Sequence, residues 1–384
     1  MKTAYYLLLS SLLILFELQG FSQGTIHNVF GKGIQGMAKD SSFSVKFGIR
    51  FQTQYEGINT LTNDTAFTGE IYEDRFYLRR ARLKLDGYVF SPKIVYKIEY
   101  DLPNAQILDA VLKWNFAGNF SLWAGQTKLP GNRERVISSQ KLQFVDRSLL
   151  NARYQLDRDQ GLQLRHHFSL GSVVIREIIS ASVGEGMNYN TLSGKSGYDY
   201  TERIEILPFG VFSGNGDYVG ADLQREEKVK LALGFTYDYN DNAIRERGQT
   251  GDELSEMRDI ATFFADLMFK YKGLSIMAEY ANRSTTKSPE IIDSTGTQIE
   301  SFYTGIGLNT QVGYVLKSNW EFAGRYTSII PERITGNKHL SMVTFAISKY
   351  IVGHNLKVQG DISYYQQENS DDQLLFRLQL EVAL

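Results

Sequence analysis

Apolar and polar side chains alternate along the chain from Phe43 to its last residue, and short and long polar segments interrupt this alternation in turn. In the last segment, apolar residues at every second position face one side: Leu374, Phe376, Leu378, Leu380, Val382 and Leu384. Successive side chains of a β-strand point to opposite faces, so each segment predicts a strand with one apolar face. A second sheet would cover these faces in a soluble sandwich, whereas lipid covers them in a membrane barrel.

The composition favours strands and turns over spanning helices. The chain has 23 Tyr, 23 Phe and 34 Gly but only 6 Pro among its 384 residues. After the N-terminus no apolar stretch of about 20 residues occurs, so helices that cross a membrane are not expected. The absence of Cys excludes disulfides, thiolate catalysis, Cys-ligated zinc and a lipoprotein anchor, and a net charge of −2 gives no signal for nucleic-acid binding.

The first residues have the pattern of an export signal. Lys2 precedes an apolar run that ends at Phe16, and small residues follow at Gly20 and Ser22. This run is short for a membrane anchor, so residues 1–22 are predicted to be a cleaved signal peptide. Residues 23–41 are interpreted as an N-terminal lead-in, and residues 42–384 as one transmembrane β-barrel domain.

Sixteen antiparallel strands are predicted, and the fold class is therefore all-β. Their approximate ranges are 42–55, 75–90, 93–101, 106–116, 120–129, 160–168, 172–182, 201–210, 228–240, 257–272, 274–284, 302–317, 320–330, 338–351, 355–367 and 373–384. Tight turns and long loops alternate between them, as in bacterial outer-membrane barrels with short periplasmic turns. The connection 211–227 is an exception, because it is long on the side that should be tight. It is either an unusual periplasmic loop or a sign that the strand count is wrong there.

A closed barrel of 16 strands leaves an aqueous lumen, so function is expected on the polar faces. In the second strand Arg80, Arg82 and Lys84 alternate with apolar residues, and in the third strand Lys97 shares its face with Glu99. Further inward candidates of both charge signs are Asp109, Lys113, Lys128, Arg165, Lys230, Asp266, Lys270, Glu321, Arg325, Lys357, Asp361 and Arg377.

Several sequence blocks carry a family resemblance: the segments 74–83, 96–101, 108–110, 123–130, 133–139, 144–149 and 158–161, beginning with Asp-Arg-Phe-Tyr-Leu-Arg-Arg-Ala-Arg-Leu and including Trp-Ala-Gly-Gln-Thr-Lys-Leu-Pro. Together they resemble the phosphate-selective porins O and P, most strongly over residues 42–170. The resemblance implies a trimeric outer-membrane porin of a Gram-negative cell that lies in outer-membrane lipid. It further implies that the long loop after the fifth strand folds into the lumen and that basic side chains guide small anions such as phosphate inward.

The residues expected to line the pore and guide anions are Arg80, Arg82, Lys84, Lys97, Lys113, Lys128, Arg133, Arg135 and Arg147. The loop 130–159 has six basic and four acidic residues, and its apolar residues give it a way to pack. Arginine offers fixed donors that match phosphate or carboxylate. The alternative is that these arginines pair with the acidic residues of the loop and of the strands, and both interpretations remain open at this point.

Other classes of function have weaker support. An adhesin could display loops 184–200 and 285–300. A lipid hydrolase inside a barrel would need a nucleophile and a base close together, for which Ser169 and His167 are candidates, but no nucleophile motif is present. The five histidines form no pair with metal-ligand spacing. We therefore expect neither an enzyme nor a cofactor.

Overall fold

A computed structural model describes residues 27–61, 73–190 and 197–384. Its strands are β1 His27–Asn28, β2 Ile34–Met37, β3 Phe43–Leu61, β4 Glu73–Val89, β5 Ser91–Asp101, β6 Gln106–Ala117, β7 Phe120–Lys128, β8 Arg158–Leu170, β9 Val173–Ser182, β10 Asp199–Leu207, β11 Lys230–Arg245, β12 Glu253–Tyr271, β13 Leu274–Thr285, β14 Glu290–Ile292, β15 Gln298–Ser301, β16 Gly305–Val315, β17 Trp320–Pro331, β18 Leu340–Val352, β19 Leu356–Gln367 and β20 Asp372–Ala383. Two short helices, α1 Arg133–Val136 and α2 Leu149–Tyr154, lie between β7 and β8. Three 3-10 segments span Ser139–Lys141, Ser213–Tyr218 and Arg333–Thr335.

Sixteen of these strands form one closed antiparallel barrel. Strands β3 to β13 pair in sequence order, β13 pairs with β16, and β16 to β20 continue the order. The last barrel strand, β20, then pairs with the first barrel strand, β3, from Asp372 opposite Leu61 to Ala383 opposite Arg50. The closed barrel leaves no free edge along these strands and confirms the predicted strand count.

The predicted faces are also confirmed. On β20 Leu378 is 54% exposed on the outside, whereas its neighbours Arg377 and Gln379 are buried on the inside. Strand β3 has the same alternation, with Phe51 outside and Arg50 inside. Among the described residues, no helix is long and apolar enough to cross a membrane.

The two ends of the barrel differ in the length of their connections. One end carries tight turns, for example Lys272-Gly273 between β12 and β13. The other end carries the long loops, and one of them contains the hairpin of β14 and β15, which the sequence pattern did not reveal. We call these the turn end and the loop end.

The lead-in before the barrel is partly structured. Strand β2 pairs with residues 44–47 of β3, next to the point where β20 ends, and β1 pairs with β2. Leu384 N donates to Ile49 O over 2.9 Å at the same place. The predicted signal peptide, residues 1–22, lies outside the described residues.

The long connection 208–229 runs from β10 to β11 at the turn end, and we call it the lower loop. It folds into the barrel, because Lys270 Nζ on the inner wall donates to Val219 O and Ala221 O over 2.9 and 2.8 Å. The strand count of 16 therefore holds, and this connection is a long loop at the end where the others are tight.

A basic cavity beside the inner loop

Residues 129–157 between β7 and β8, here the inner loop, cross the lumen and bind the opposite wall. Arg133 in α1 donates to Asp266 Oδ1 over 2.6 Å and pairs with Glu205 over 3.4 Å. Glu134 N donates to Glu279 Oε1 over 2.6 Å. The resemblance implied an inward-folded loop, and these contacts with β10, β12 and β13 show it.

The middle of the inner loop is held by strands on the far side of the barrel. Gln143 Nε2 donates to Ser275 Oγ and to Glu321 Oε1, both over 2.7 Å. Val145 N donates to Asp361 Oδ2 over 3.1 Å, and Arg50 Nη2 donates to Ser139 Oγ over 2.8 Å. Contacts on so many strands fix the loop across the lumen.

Asp146 attaches the same loop to β4. Arg79 and Arg80 donate to its two carboxylate oxygens over 2.7 and 3.2 Å. Burial alone would raise the pKa of Asp146, but the charges of Arg80 and Arg79 hold it well below its usual range. Asp146 is therefore an ionised anchor at neutral pH.

Apolar side chains pack the inner loop against one side of the lumen. Leu150 and Tyr154 of α2 are fully buried in a cluster with wall residues such as Phe264 and Ile329. Burial of each such side chain contributes about 1.5–3 kcal/mol. The expectation of an aqueous lumen is thus met on one side of the barrel only, because the side formed by β12, β13 and β16 to β18 is packed.

The lower loop completes this packing from the turn end. Phe212 joins a cluster with Ile137 and Leu142 of the inner loop. Gly220 N donates to Lys141 O over 2.8 Å, so the two loops are bonded directly inside the barrel.

Tyr218 of the lower loop reaches the open side of the lumen. Its hydroxyl donates to Glu205 Oε2 over 2.6 Å. Burial and the negative charge of Glu205 raise the pKa of Tyr218, so the phenol stays protonated and remains a donor. Arg133 and Arg176 each lie 5.7 Å from the centroid of its ring.

The space left open between the two loops and strands β4 to β8 is a cavity of about 460 Å³. Eight basic side chains and only two carboxylates line it, and these ten residues are Arg82, Lys84, Lys97, Lys113, Lys128, Lys141, Arg158, Arg165, Glu99 and Asp109. A surplus of positive charge in a concave, low-dielectric site raises the local concentration of anions.

Part of this charge is neutralised within the cavity wall. Arg82 pairs with Glu99 over 2.8 Å, and Arg158 pairs with Asp109 over 3.2 Å. Lys97 Nζ bridges the same two carboxylates, 3.1 Å from Glu99 and 2.7 Å from Asp109. These five residues form one network with a net charge of +1.

Five cations of the cavity lie outside this network. Within the described ranges, Lys84, Lys113, Lys128, Lys141 and Arg165 form no ion pair with a carboxylate. The Nζ atom of Lys113 lies 3.8 Å from the centroid of the Trp123 ring, and the Cζ atom of Arg165 lies 3.7 Å from it. These side chains carry the excess positive charge of the cavity.

A second cavity of about 610 Å³ continues toward the turn end. It is lined by β6 to β9 and the lower loop, and it shares Arg165 and Tyr218 with the first cavity. These two residues therefore mark the junction between the basic cavity and the turn end of the barrel.

The structure divides the nine residues predicted to guide anions into two sets. Arg82, Lys84, Lys97, Lys113 and Lys128 line the basic cavity. The other four hold the inner loop: Arg80 binds Asp146, Arg133 binds Asp266, Arg135 binds Asp157, and Arg147 donates to the carbonyls of Glu134 and Ile137. Lys128 belongs to both sets, because it lines the cavity and its Nζ also donates to three carbonyls of the inner loop, those of Arg135, Val136 and Ile137.

The sequence-based site did not include Trp123, Lys141 or Tyr218. The alternation of side chains along β7 could have placed Trp123 on the inner face, since Trp123 lies directly opposite Lys113 of β6. Tyr218 had only a weak signal, which was the unexpected length of the connection 211–227.

The residues considered for other chemistry do not line the basic cavity. His167 and Ser169, the candidate hydrolase pair, make no side-chain hydrogen bond to each other, and Ser169 is exposed. In the part of the chain that the structure describes, no three His, Cys, Asp or Glu side chains are grouped to hold a metal ion.

Comparison with known proteins gives one family match. The sequence model of the family described as phosphate-selective porin O and P matches residues 45–373. An uncharacterized protein of Aquifex aeolicus (strain VF5) is 21% identical over 315 residues, which cover 77% of this chain and 69% of that protein.

Solved outer-membrane proteins share the fold at low sequence identity. A loop L8 deletion mutant of OmpT from Vibrio cholerae aligns with a TM-score of 0.58 and 10% identity, over 89% of this chain and 100% of that one. The trimer form of in-vitro folded OmpT gives 0.55 and 11%, over 89% and 100%. An anion-selective porin from Comamonas acidovorans gives 0.53 and 9%, also over 89% and 100%. At such identities the likeness establishes the barrel fold alone.

Proposed function

The chain belongs to the phosphate-selective porin O and P family and is an outer-membrane porin, and from this premise we propose that its channel lets small anions such as phosphate diffuse passively across the membrane. The observation that carries this proposal is the basic cavity, where eight cationic side chains oppose two carboxylates. The anion-selective porin of Comamonas acidovorans, which shares the fold, supports it.

From their contacts, we assign two different roles to the predicted arginines and lysines. Arg80, Arg133 and Arg135 are engaged with carboxylates that fix the inner loop. In contrast, Lys84 and Lys113 face the cavity without a carboxylate partner in the described part of the chain. In this proposal one group of basic residues holds the inner loop, and a different group attracts anions.

The path proposed for a solute runs along strands β4 to β9. It begins at the loop end, passes the basic cavity, crosses the junction at Arg165 and Tyr218, and leaves through the second cavity at the turn end. Among the described residues, the opposite half of the lumen is filled by apolar contacts of the inner loop.

The setting of the porin is proposed as follows. Residues 1–22 direct export and are removed, lipid covers the exposed apolar side chains such as Phe345 and Leu378, and three copies assemble into a homotrimer. The trimer form of OmpT, which has the same fold, supports the last point. Unheated gel electrophoresis and light scattering in detergent test it, and a monomer by both methods would contradict it.

The decisive experiment measures ion selectivity. Purified protein in planar bilayers under a KCl gradient should give a reversal potential of the sign for anion preference. Replacing Lys84 and Lys113 together with Gln should move this potential toward cation preference, and the shift should be smaller in concentrated salt because charges are screened there. Lys317→Gln, in an exposed turn, removes a positive charge outside the cavity and should have no effect.

Phosphate itself is tested by competition. Inorganic phosphate added to the chloride solution should reduce the chloride current of the parent protein more than that of the Lys84→Gln/Lys113→Gln variant. A cation-preferring parent channel would overturn the proposal of anion transport. An anion-preferring channel whose current is indifferent to phosphate would overturn the choice of phosphate only.

A further inference from the structure

Three strands place two cations on one aromatic ring inside the lumen. Lys113 on β6 lies directly opposite Trp123 on β7, and Arg165 on β8 lies opposite Ser121, two residues along the same face. The Lys113 Nζ and Arg165 Cζ atoms lie 3.8 and 3.7 Å from the centroid of the Trp123 ring. The ring is therefore held between two positive charges in the wall of the basic cavity.

The ring itself is fixed in place. Trp123 Nε1 donates to Ser121 Oγ over 2.6 Å, which satisfies the only polar atom of the side chain. Arg165 is fixed in turn by Gln163 of the same strand, whose Oε1 accepts from Nη2 over 2.7 Å. Neither of these partners carries a charge, so the arrangement orients Arg165 and leaves its charge intact.

The other cations of the cavity wall differ from this pair in the kind of partner that holds them. Arg82, Lys97 and Arg158 are held by Glu99 and Asp109, and these carboxylates cancel most of their charge. An aromatic ring attracts a cation through its quadrupole and adds no negative charge. A ring is thus the kind of partner that can order two flexible cations and still leave two positive charges facing the solute.

We propose that Trp123 is a specificity-determining, positioning residue of the channel, which holds Lys113 and Arg165 on the two faces of its ring as an uncompensated pair that attracts anions. This inference rests on the proposed anion selectivity and deepens it. Without the ring, both long side chains gain rotamer freedom, and Lys113 can turn toward Asp109, which lies on the same face of β6. The positive charge at this point of the cavity then falls.

The test compares Trp123→Leu, which removes the ring face, with Trp123→Phe, which keeps a smaller one. The ratio of anion to cation permeability at low salt should fall about twofold to fivefold in the Leu variant, the change that one exposed cation–π contact corresponds to. The Phe variant should retain most of the parent ratio. Trp114→Leu is the matched control, because Trp114 adjoins Lys113 in sequence but is 51% exposed on the outer face.

A cycle of variants separates positioning from a merely structural role. In a background that already carries Lys113→Gln and Arg165→Gln, Trp123→Leu should cause no further change in the permeability ratio. Unchanged heat-dependent mobility on gels verifies that each variant folds. A parent channel without anion preference would defeat the proposed function. An anion-selective parent with an equally selective Trp123→Leu variant, or a Leu effect that persists without the two cations, would defeat this inference alone.

Discussion

The Arg133 Nε atom lies 2.6 Å from Asp266 Oδ1, and both side chains are fully buried in the middle of the barrel. The bond joins α1 of the inner loop to β12 on the opposite wall. Arg203 shares the same carboxylate over 2.7 Å and also binds Glu205, and Arg176 links Glu205 to Asp217, so three arginines and three acids form a balanced network. The position of the inner loop depends on this balance.

Removing one member of this network should destabilise the barrel strongly. Arg133→Met leaves a buried negative charge without compensation, and such a change costs about 3–5 kcal/mol. Urea unfolding in lipid vesicles measures the loss of stability. The fraction of folded barrel at each urea concentration is read from its shifted band on an unheated gel. The exposed pair of Arg75 and Glu56 provides the control, because Arg75→Gln should cost less than about 1 kcal/mol. Equal effects of the two variants would show that the buried network does not stabilise the fold.

Tyr218 should limit the flow of ions at the junction of the two cavities. Tyr218→Ala removes the ring from both cavity walls, so single-channel conductance should rise. Tyr218→Phe keeps the ring but loses the hydrogen bond to the Glu205 carboxylate, which should cost about 1.5–3 kcal/mol with little change in conductance. Conductance that is unaffected by the Ala variant would place the narrowest point elsewhere.

Asp146 should keep the inner loop attached to β4 in mildly acidic solution. Its pKa is depressed in the folded protein, so the stabilisation is fully present above the unfolded pKa of about 3.9 and is lost only as the pH falls further. Channel recordings should therefore remain steady at pH 5. Asp146→Asn should cause fluctuating conductance at every pH, since the charges of Arg79 and Arg80 then lack their partner. Acid-induced fluctuation already at pH 5 in the parent would contradict this assignment.

Glu185, in the connection between β9 and β10, should make the loop end sensitive to pH. Burial raises the pKa of Glu185 to about 7, although Arg245 opposes the shift. The folded protein thus binds this proton more tightly than the unfolded chain, so stability falls as the pH rises from about 4.3 to 7 and is constant above. Amide exchange of residues 183–190, corrected for its intrinsic pH dependence, should be slower at pH 5 than at pH 7.5. Glu185→Gln should remove the difference, and a persistent difference would exclude Glu185 as its source.

The structure also changes what should be expected of Arg80. Sequence parity places Arg80 and Arg82 together on the lumen face, which suggests that neutral replacements alter selectivity and leave stability nearly intact. In the structure both side chains keep the inner face, opposite Gln52 and Arg50 of β3, but Arg80 binds Asp146 of the inner loop. Arg80→Gln should therefore loosen the inner loop, whereas Arg82→Gln should act on the cavity, where Arg82 pairs with Glu99. Unfolding midpoints and reversal potentials of the two single variants distinguish these effects.

The sequence by itself determined the strands of the barrel, their faces and their number. The alternation of Phe51 with Arg50 is a local property, because the period of a strand is fixed by backbone geometry and the partition of side chains between lipid and lumen follows from their polarity. Sixteen such segments with turns between them leave few topologies other than a closed barrel. Inward cations such as Lys84 and Lys113 were found for the same reason.

Only the tertiary structure decided which of the cations keep their charge available. The charge of Arg133 is neutralised by Asp266, a residue 133 positions away. This contact forms only because the inner loop folds across the closed barrel to the opposite wall. The alternation of side chains and the composition do not encode the path of an irregular loop, since the conformation of such a loop is set by contacts with distant strands. For this reason the role of Tyr218 in the lower loop, and the ring of Trp123 between two uncompensated cations, became visible only when the strands and both loops were placed together in space.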